Sequence, residues 1–342
     1  MSANPSKYRA RSGAQKVIAL SISYEREHML QRGMKIEHLR ELLLGLAGPM
    51  VRGGANLSYA GHWRETDDNF TYDLLQLISA ERDERNLASD TSATPVGWLY
   101  NHLAWPLYLL VTPQIEAQWV NCCRIIRITQ SLAGIAGAAQ APDPITVPGA
   151  DAVALNSAIV LSAMRKLATV GMTLEIAGIP NEHHPKVPAL SARVFLGGKT
   201  RGYSGLLPGL FEEALLAFEH SVPQYVLGGF GGSAGVLSDL LLAPKGQRPP
   251  ELTLAWHEHQ TPQVKQLNVL ASQHPQVLPA GIRTTEAALD ALYDKINAAR
   301  GSLATQLQTG LSEDETRELM TTIDIRRAVY LTLKGIMPDA LA

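Results

Sequence analysis

Ala192-Arg-Val-Phe-Leu-Gly-Gly-Lys-Thr-Arg-Gly-Tyr-Ser-Gly-Leu-Leu-Pro-Gly-Leu-Phe-Glu-Glu-Ala-Leu-Leu-Ala-Phe-Glu219, continued by Pro223-Gln-Tyr-Val-Leu-Gly-Gly-Phe-Gly-Gly232, decides the fold. Val194, Phe195 and Leu196 form a short apolar run, as buried parallel strands do. Gly197, Gly198, Gly202 and Gly205 follow, with Lys199, Arg201, Tyr203 and Ser204 between them. Glycines tolerate positive φ and let backbone N–H groups approach a ligand. A helix is expected to open near Leu207 with Pro208 in its first turn. Leu207, Leu210, Phe211, Ala214, Leu215 and Phe218 then make one apolar stripe. Glu212 and Glu213 lie off that stripe. A further strand and a second glycine loop, Gly228-Gly229-Phe230-Gly231-Gly232, close the unit. Backbone donors, a helix N-terminus and two cations converge, which is how a phosphate site is built.

The preceding sequence repeats the alternation. Val17–Ile22 reads as a buried strand ending at Ser21 and Ser23, and a loop carrying Glu25, Arg26, Glu27 and His28 follows. Ile36–Met50 reads as a helix with Leu39, Leu42, Leu43 and Leu46 on one face. Ala55–Ala60 is a second strand, with Gly61, His62 and Arg64 just past its end, and a helix begins near Asn69. Strand–helix–strand order argues a parallel α/β unit, with ligands at the carboxyl ends of the strands. Residues 84–121 carry an aromatic cluster of core type and no clear period. Cys122–Thr129 reads as a strand, 132–150 as an Ala/Gly/Pro-rich loop, Val153–Leu167 as a helix and 172–190 as another loop. Beyond about 260, helices are expected over Pro262–Ser272, Thr284–Arg300 and Ser312–Gly335. The fold class is therefore α/β, a Rossmann-like doubly wound parallel sheet with a C-terminal helical appendage.

Composition bounds the function. At 46% hydrophobic and 18% charged, the 342 residues suit an ordinary soluble core. A net charge of −2 gives no bulk attraction to nucleic acid or an anionic membrane, so any phosphate affinity must be local. No apolar run is expected to reach membrane-spanning length. The only cysteines, Cys122 and Cys123, are adjacent, which suits core thiols in a reducing cytoplasm. His183 and His184 have no third ligand at useful spacing, so no metal is expected.

These residues resemble a known family. Met164-Arg-Lys166 before a strand, then Gly202-Tyr-Ser-Gly-Leu-Leu-Pro-Gly-Leu-Phe-Glu-Glu213 opening a helix, is similar in layout to the Lonely Guy and lysine-decarboxylase-like Rossmannoid proteins. Ser21-Ile-Ser23, Tyr59-Ala-Gly-His62, Phe70-Thr71 and the glycine motif look closer to the SLOG branch found beside bacterial antiviral and stress systems. The histidine of the Lonely Guy motif is absent, and His62 stands where an acid is common. Three segments are expected: a disordered lead-in over 1–14, a SLOG-like domain over 15–245 on the strength of the resemblance, and a helical tail over 255–342 for packing or oligomerisation.

The resemblance further implies a site for a nucleotide-derived molecule, such as an NAD fragment, ADP-ribose or a signalling nucleotide, with no other cofactor required. Ser21, Ser23, Gly61, His62, Arg64, Gly197, Gly198, Lys199, Arg201, Gly202, Tyr203, Ser204, Gly205 and Gly228 to Gly232 would line it. In enzymatic relatives this site hydrolyses an N-glycosidic bond. Glu213, with Glu212 as fallback, would then supply the carboxylate beneath the ribose, and Arg165 the arginine. Three readings stay open: a sensor acting through a partner effector protein, an N-glycoside hydrolase or ribosyl transferase, and a structural assembly subunit. A homo-oligomer without membrane or direct nucleic-acid contact is expected in each.

Overall fold

The computed structural model describes residues 16–64, 66–87, 97–135, 150–175, 180, 183–244, 248–273 and 278–338. The lead-in over 1–14 and most of the 132–150 loop lie outside them. In chain order the elements are β1 (Val17–Ser23), α1 (Arg26–Gln31), α2 (Ile36–Arg52), β2 (Asn56–Tyr59), α3 (Thr71–Leu87), β3 (Leu99–Ala104), α4 (Pro113–Trp119), β4 (Cys123–Ile128), α5 (Ala150–Val170), β5 (Met172–Thr173), β6 (Lys186–Val187), β7 (Ala192–Gly197), α6 (Gly209–Glu219), β8 (Gln224–Leu227) and α7 (Gly232–Leu242). The helical part follows as α8 (Leu254–Gln260), α9 (Pro262–Gln273), α10 (Thr285–Ala299), α11 (Leu303–Gln306), α12 (Glu313–Thr321) and α13 (Ile325–Ile336).

Six strands form one parallel sheet in the order β4-β3-β2-β1-β7-β8. The chain winds outward from β1 to β4, then crosses back to lay β7 on the other side of β1, pairing Leu20 with Val194 and Ser23 with Gly197. The order thus reverses between β1 and β7, and ligands of open α/β sheets bind at such a switch point.

Side chains alternate across the sheet. Ile18, Leu20, Ile22, Leu57, Val194 and Leu196 pack with α2, α3 and α13. Phe195 and Val226 pack with α6, α7 and α10 on the opposite face, and Ile126 and Ile128 pack with α5 and α9. The helical part shares these cores. Leu307 O accepts from Gln224 N at 2.8 Å, covering the edge of β8, and Tyr225 donates to Thr309 O at 2.8 Å.

The structure corrects several sequence expectations. The expected 25–28 loop is instead the start of α1, with Glu25 at its N-cap position and Arg26 to His28 in its first turn; the helix's only buried residue, Met29, is hidden in a charged run. The helix expected from Leu207 starts at Gly209, and Pro208 caps it. Residues 84–121 contain β3 and α4. The 172–190 loop carries a small antiparallel ribbon of β5 and β6. The single helix expected over Ser312–Gly335 is two, because the Asp324 carboxylate accepts from Arg326 N and Arg327 N and opens a new helix. Val153–Val170 in α5 is long and apolar enough to cross a membrane by length and composition, which the sequence reading did not expect; half of that window is buried within the fold.

Candidate functional site

At the switch point, β1 ends in Ser23 and β7 ends in two glycines. Gly197 and Gly198 have φ of 56° and 97°, a left-handed conformation open to glycine. Gly198 N donates to Ser23 O at 2.7 Å and Lys199 N to Ser23 Oγ at 3.1 Å. Glu25, just past β1, accepts from Thr200 N at 3.0 Å and from its hydroxyl at 2.9 Å. The first glycine loop is thereby anchored to the end of β1.

The second glycine loop closes from the other side. Gly231 and Gly232 also have positive φ, 84° and 66°, and Ser233 N donates to Gly198 O at 3.0 Å. A Cβ on Gly232 would stand 2.4 Å from Gly197 C, so only glycine lets the start of α7 reach the end of β7. The positive end of the α7 dipole is therefore delivered to the switch point. Gly228, Gly229 and Phe230 serve packing. A Cβ on Gly228 or Gly229 would meet Met320 O or Thr322 O in the α12 region, and Phe230 is in the core.

The β2 end contributes a rigid turn. Asn101, fully buried, donates to Tyr59 O at 3.0 Å and Gly61 O at 2.8 Å and accepts from Trp63 Nε1 at 2.8 Å. A Cβ on Gly61 would strike the Tyr59 ring at 2.0 Å. His62 Nδ1 accepts from Arg64 N at 3.2 Å, and partial burial, with Arg64 and Lys199 nearby, lowers the ring's pKa against the pull of Asp68. Lys199 Nζ reaches Asp68 at 3.6 Å. That ion pair joins the loops after β7 and β2 across the end of β1, and both members are well exposed. Burial pushes the Asp68 carboxyl up, but the Thr66 hydroxyl and Lys199 outweigh it, so its pKa falls. Arg64 and Arg201 are exposed and have no ion pair among the described residues.

Beneath this crevice, on the α5–α6 face of the sheet, lies a buried polar group. Arg193, 3% exposed, donates to Ser21 Oγ at 2.8 Å and Thr169 Oγ1 at 3.0 Å, and pairs with Glu213 at 3.1 Å. Burial lowers its pKa, and Glu213 opposes that. His102 lies on the same face, its Nδ1 3.3 Å from Ser58 Oγ. Burial first, and then Arg193, pull its pKa down to about 4. Glu212 and Glu213 thus have separate arginines. Glu212 pairs with Arg165, whose guanidinium lies against Gly205 and Gly209 at the mouth of α6.

Of the residues singled out from sequence, Ser23, Gly197, Gly198, Lys199, Gly231 and Gly232 meet at the switch point, and Gly61, His62 and Arg64 flank it. Arg201, Gly202 and Ser204 form the exposed crest of the loop. Ser21 and Glu213 face Arg193 below. The Tyr203 side chain turns away to His257, 2.9 Å from its Nδ1. Glu25, Asp68, Asn101 and Arg193 were not marked by sequence reasoning. Arg193 carried one signal, a charge inside an apolar strand. A separate hollow on the outer face of α5 and α6, lined by Ser162, Lys166, Glu212 and Arg283, has room for no more than a few waters.

A search of curated proteins returns no match. The family model described as SLOG cluster2 matches residues 13–178 and 185–319, from β1 through α12. That family points to nucleotide-related ligand binding or processing. With most of its length matched and the parallel sheet the resemblance implied, the chain belongs to the SLOG cluster2 family.

Proposed function

We propose that this protein binds a nucleotide-derived molecule with a phosphate or diphosphate, such as ADP-ribose, an NAD fragment or a signalling nucleotide, at the β1–β7 switch point. It acts there as a sensor in a bacterial defence or stress system, and a partner protein carries out the effect. One observation carries this reading: two left-handed glycine turns, tied by Ser233 N to Gly198 O, bring the start of α7 beside Ser23 and Lys199. A helix N-terminus and an ammonium suit a phosphorylated ligand better than an uncharged one. The exposed Lys199–Asp68 pair is weak enough for a phosphate to displace.

A second reading, N-glycoside hydrolysis of NAD or a nucleotide, draws on Glu213, a mostly buried carboxylate on the second turn of α6. An oxocarbenium-like ribose would need negative charge beneath C1′. Here Arg193 compensates that charge, which favours the sensor. Incubation with NAD, ADP-ribose, AMP and ATP, following melting temperature and base release together, separates the two. Stabilisation without product supports the sensor. Base release abolished by Glu213→Gln supports the hydrolase, and neither effect with any compound defeats both.

A further inference from the structure

The helical part grips the glycine loop at three points. Gly202 N donates to Thr261 Oγ1 at 3.0 Å, between α8 and α9. Thr285, fully buried at the start of α10, donates to Leu206 O at 2.6 Å. Tyr203 Oη lies 2.9 Å from Nδ1 of His257 on α8. His257 is fully buried, and its Nε2 lies 2.9 Å from Glu251 O. A backbone carbonyl can only accept, so Nε2 carries the proton, and Nδ1 of the neutral ring accepts from the Tyr203 hydroxyl. Tyr203, Phe211 and Trp256 enclose the imidazole edge-on, with centroids 5.7, 6.3 and 4.9 Å away. Gly202, by contrast, is exposed, with φ of 59° and nothing within 4 Å of where a Cβ would be, so no neighbouring side chain packs against it at that point.

We propose that His257, Thr261 and Thr285 are positioning residues of the ligand site. The helical part holds the 202–206 turn in its binding shape, and ligand occupancy is thereby coupled to α8. This rests on the nucleotide reading for the identity of the ligand, not for the clamp. By linkage the coupling is reciprocal: ligand must steady α8 as much as α8 steadies ligand.

The test uses the full chain, with ADP-ribose as probe, and reads both amide hydrogen exchange and calorimetric affinity. Tyr203→Phe and His257→Phe both remove the Tyr203–His257 bond, and His257→Phe also the one to Glu251 O, so each should speed exchange over 202–206 without ligand and weaken ADP-ribose about tenfold. The double variant should be no worse than His257→Phe. His257→Asn, whose Oδ1 can replace Nδ1 as acceptor, should restore both readouts, which a merely structural role for the ring would not. ADP-ribose should slow exchange in 254–260 of the wild type. Unchanged exchange over 202–206 in both phenylalanine variants overturns the clamp, and faster exchange with unchanged affinity overturns its link to the site. If the wild type binds no ADP-ribose, that choice of ligand falls, and the ligand-free exchange data alone decide the clamp.

Discussion

Acid should destabilise this protein through a defined histidine. Burial pulls the rings of His257 and His102 from 6.5 down to about 4. In the unfolded chain each ring takes up a proton as pH falls through 6.5, while in the folded protein it stays neutral until about 4. Stability is therefore complete above the unfolded value, is lost between about 6.5 and 4, and falls no further from this cause below that. Between pH 7.5 and 5.0 the linkage comes to about 2 kcal/mol per histidine. Replacing His257 with Asn keeps an acceptor for Tyr203 and removes the titration. Urea unfolding followed by tryptophan fluorescence at the two pH values measures the loss in each protein. His102 and the other titrating groups are common to both, so His257→Asn should lose about 2 kcal/mol less than wild type. Equal losses would refute the reasoning, because a ring that titrates alike in both states contributes no slope.

Other outcomes test the site. Asp68→Asn removes the anion that competes for Lys199, so it should tighten ADP-ribose binding about two- to fivefold, as expected for an exposed pair worth below about 1 kcal/mol; weaker binding by calorimetry would count against displacement. Arg193→Met leaves Glu213 buried without its cation and should cost about 3–5 kcal/mol in urea unfolding, whereas Arg193→Met with Glu213→Leu should cost less. Gly202→Ala should cost about 1–2 kcal/mol for its left-handed φ alone. Gly232→Ala should cost clearly more, because the backbone of β7 stands in the way of its Cβ; equal melting temperatures for these two variants would contradict the close approach.

Five of the six strands were legible as short apolar runs, clearest where one ends in serine or glycine, as at Val194–Leu196 before Gly197, while β3, with Asn101 and His102 inside it, was not. The glycine loops were legible for the same reason: positive φ admits few residues besides glycine. The reading reached less far where meaning depends on a distant partner. Arg193 sits in a strand, and its role appears only when Thr169 on α5 and Glu213 on α6 fold around it. Tyr203 lies in the middle of the ligand motif, yet its hydroxyl belongs to a histidine 54 residues later. Asn101 shapes the turn after β2 from a neighbouring strand, which no local pattern signals. Helix α1 escaped notice because six residues with one buried side chain cannot display a period.

Calorimetric titration of ADP-ribose into wild type and Lys199→Ala bears hardest on a phosphate site at the switch point. Lys199 is exposed, and among the described residues its ammonium has one ion pair, to Asp68, so the variant is expected to keep the fold. Saturable binding to wild type, weakened about tenfold or more in Lys199→Ala, is the predicted result. Equal affinity for the two proteins, or no binding to wild type, would contradict it.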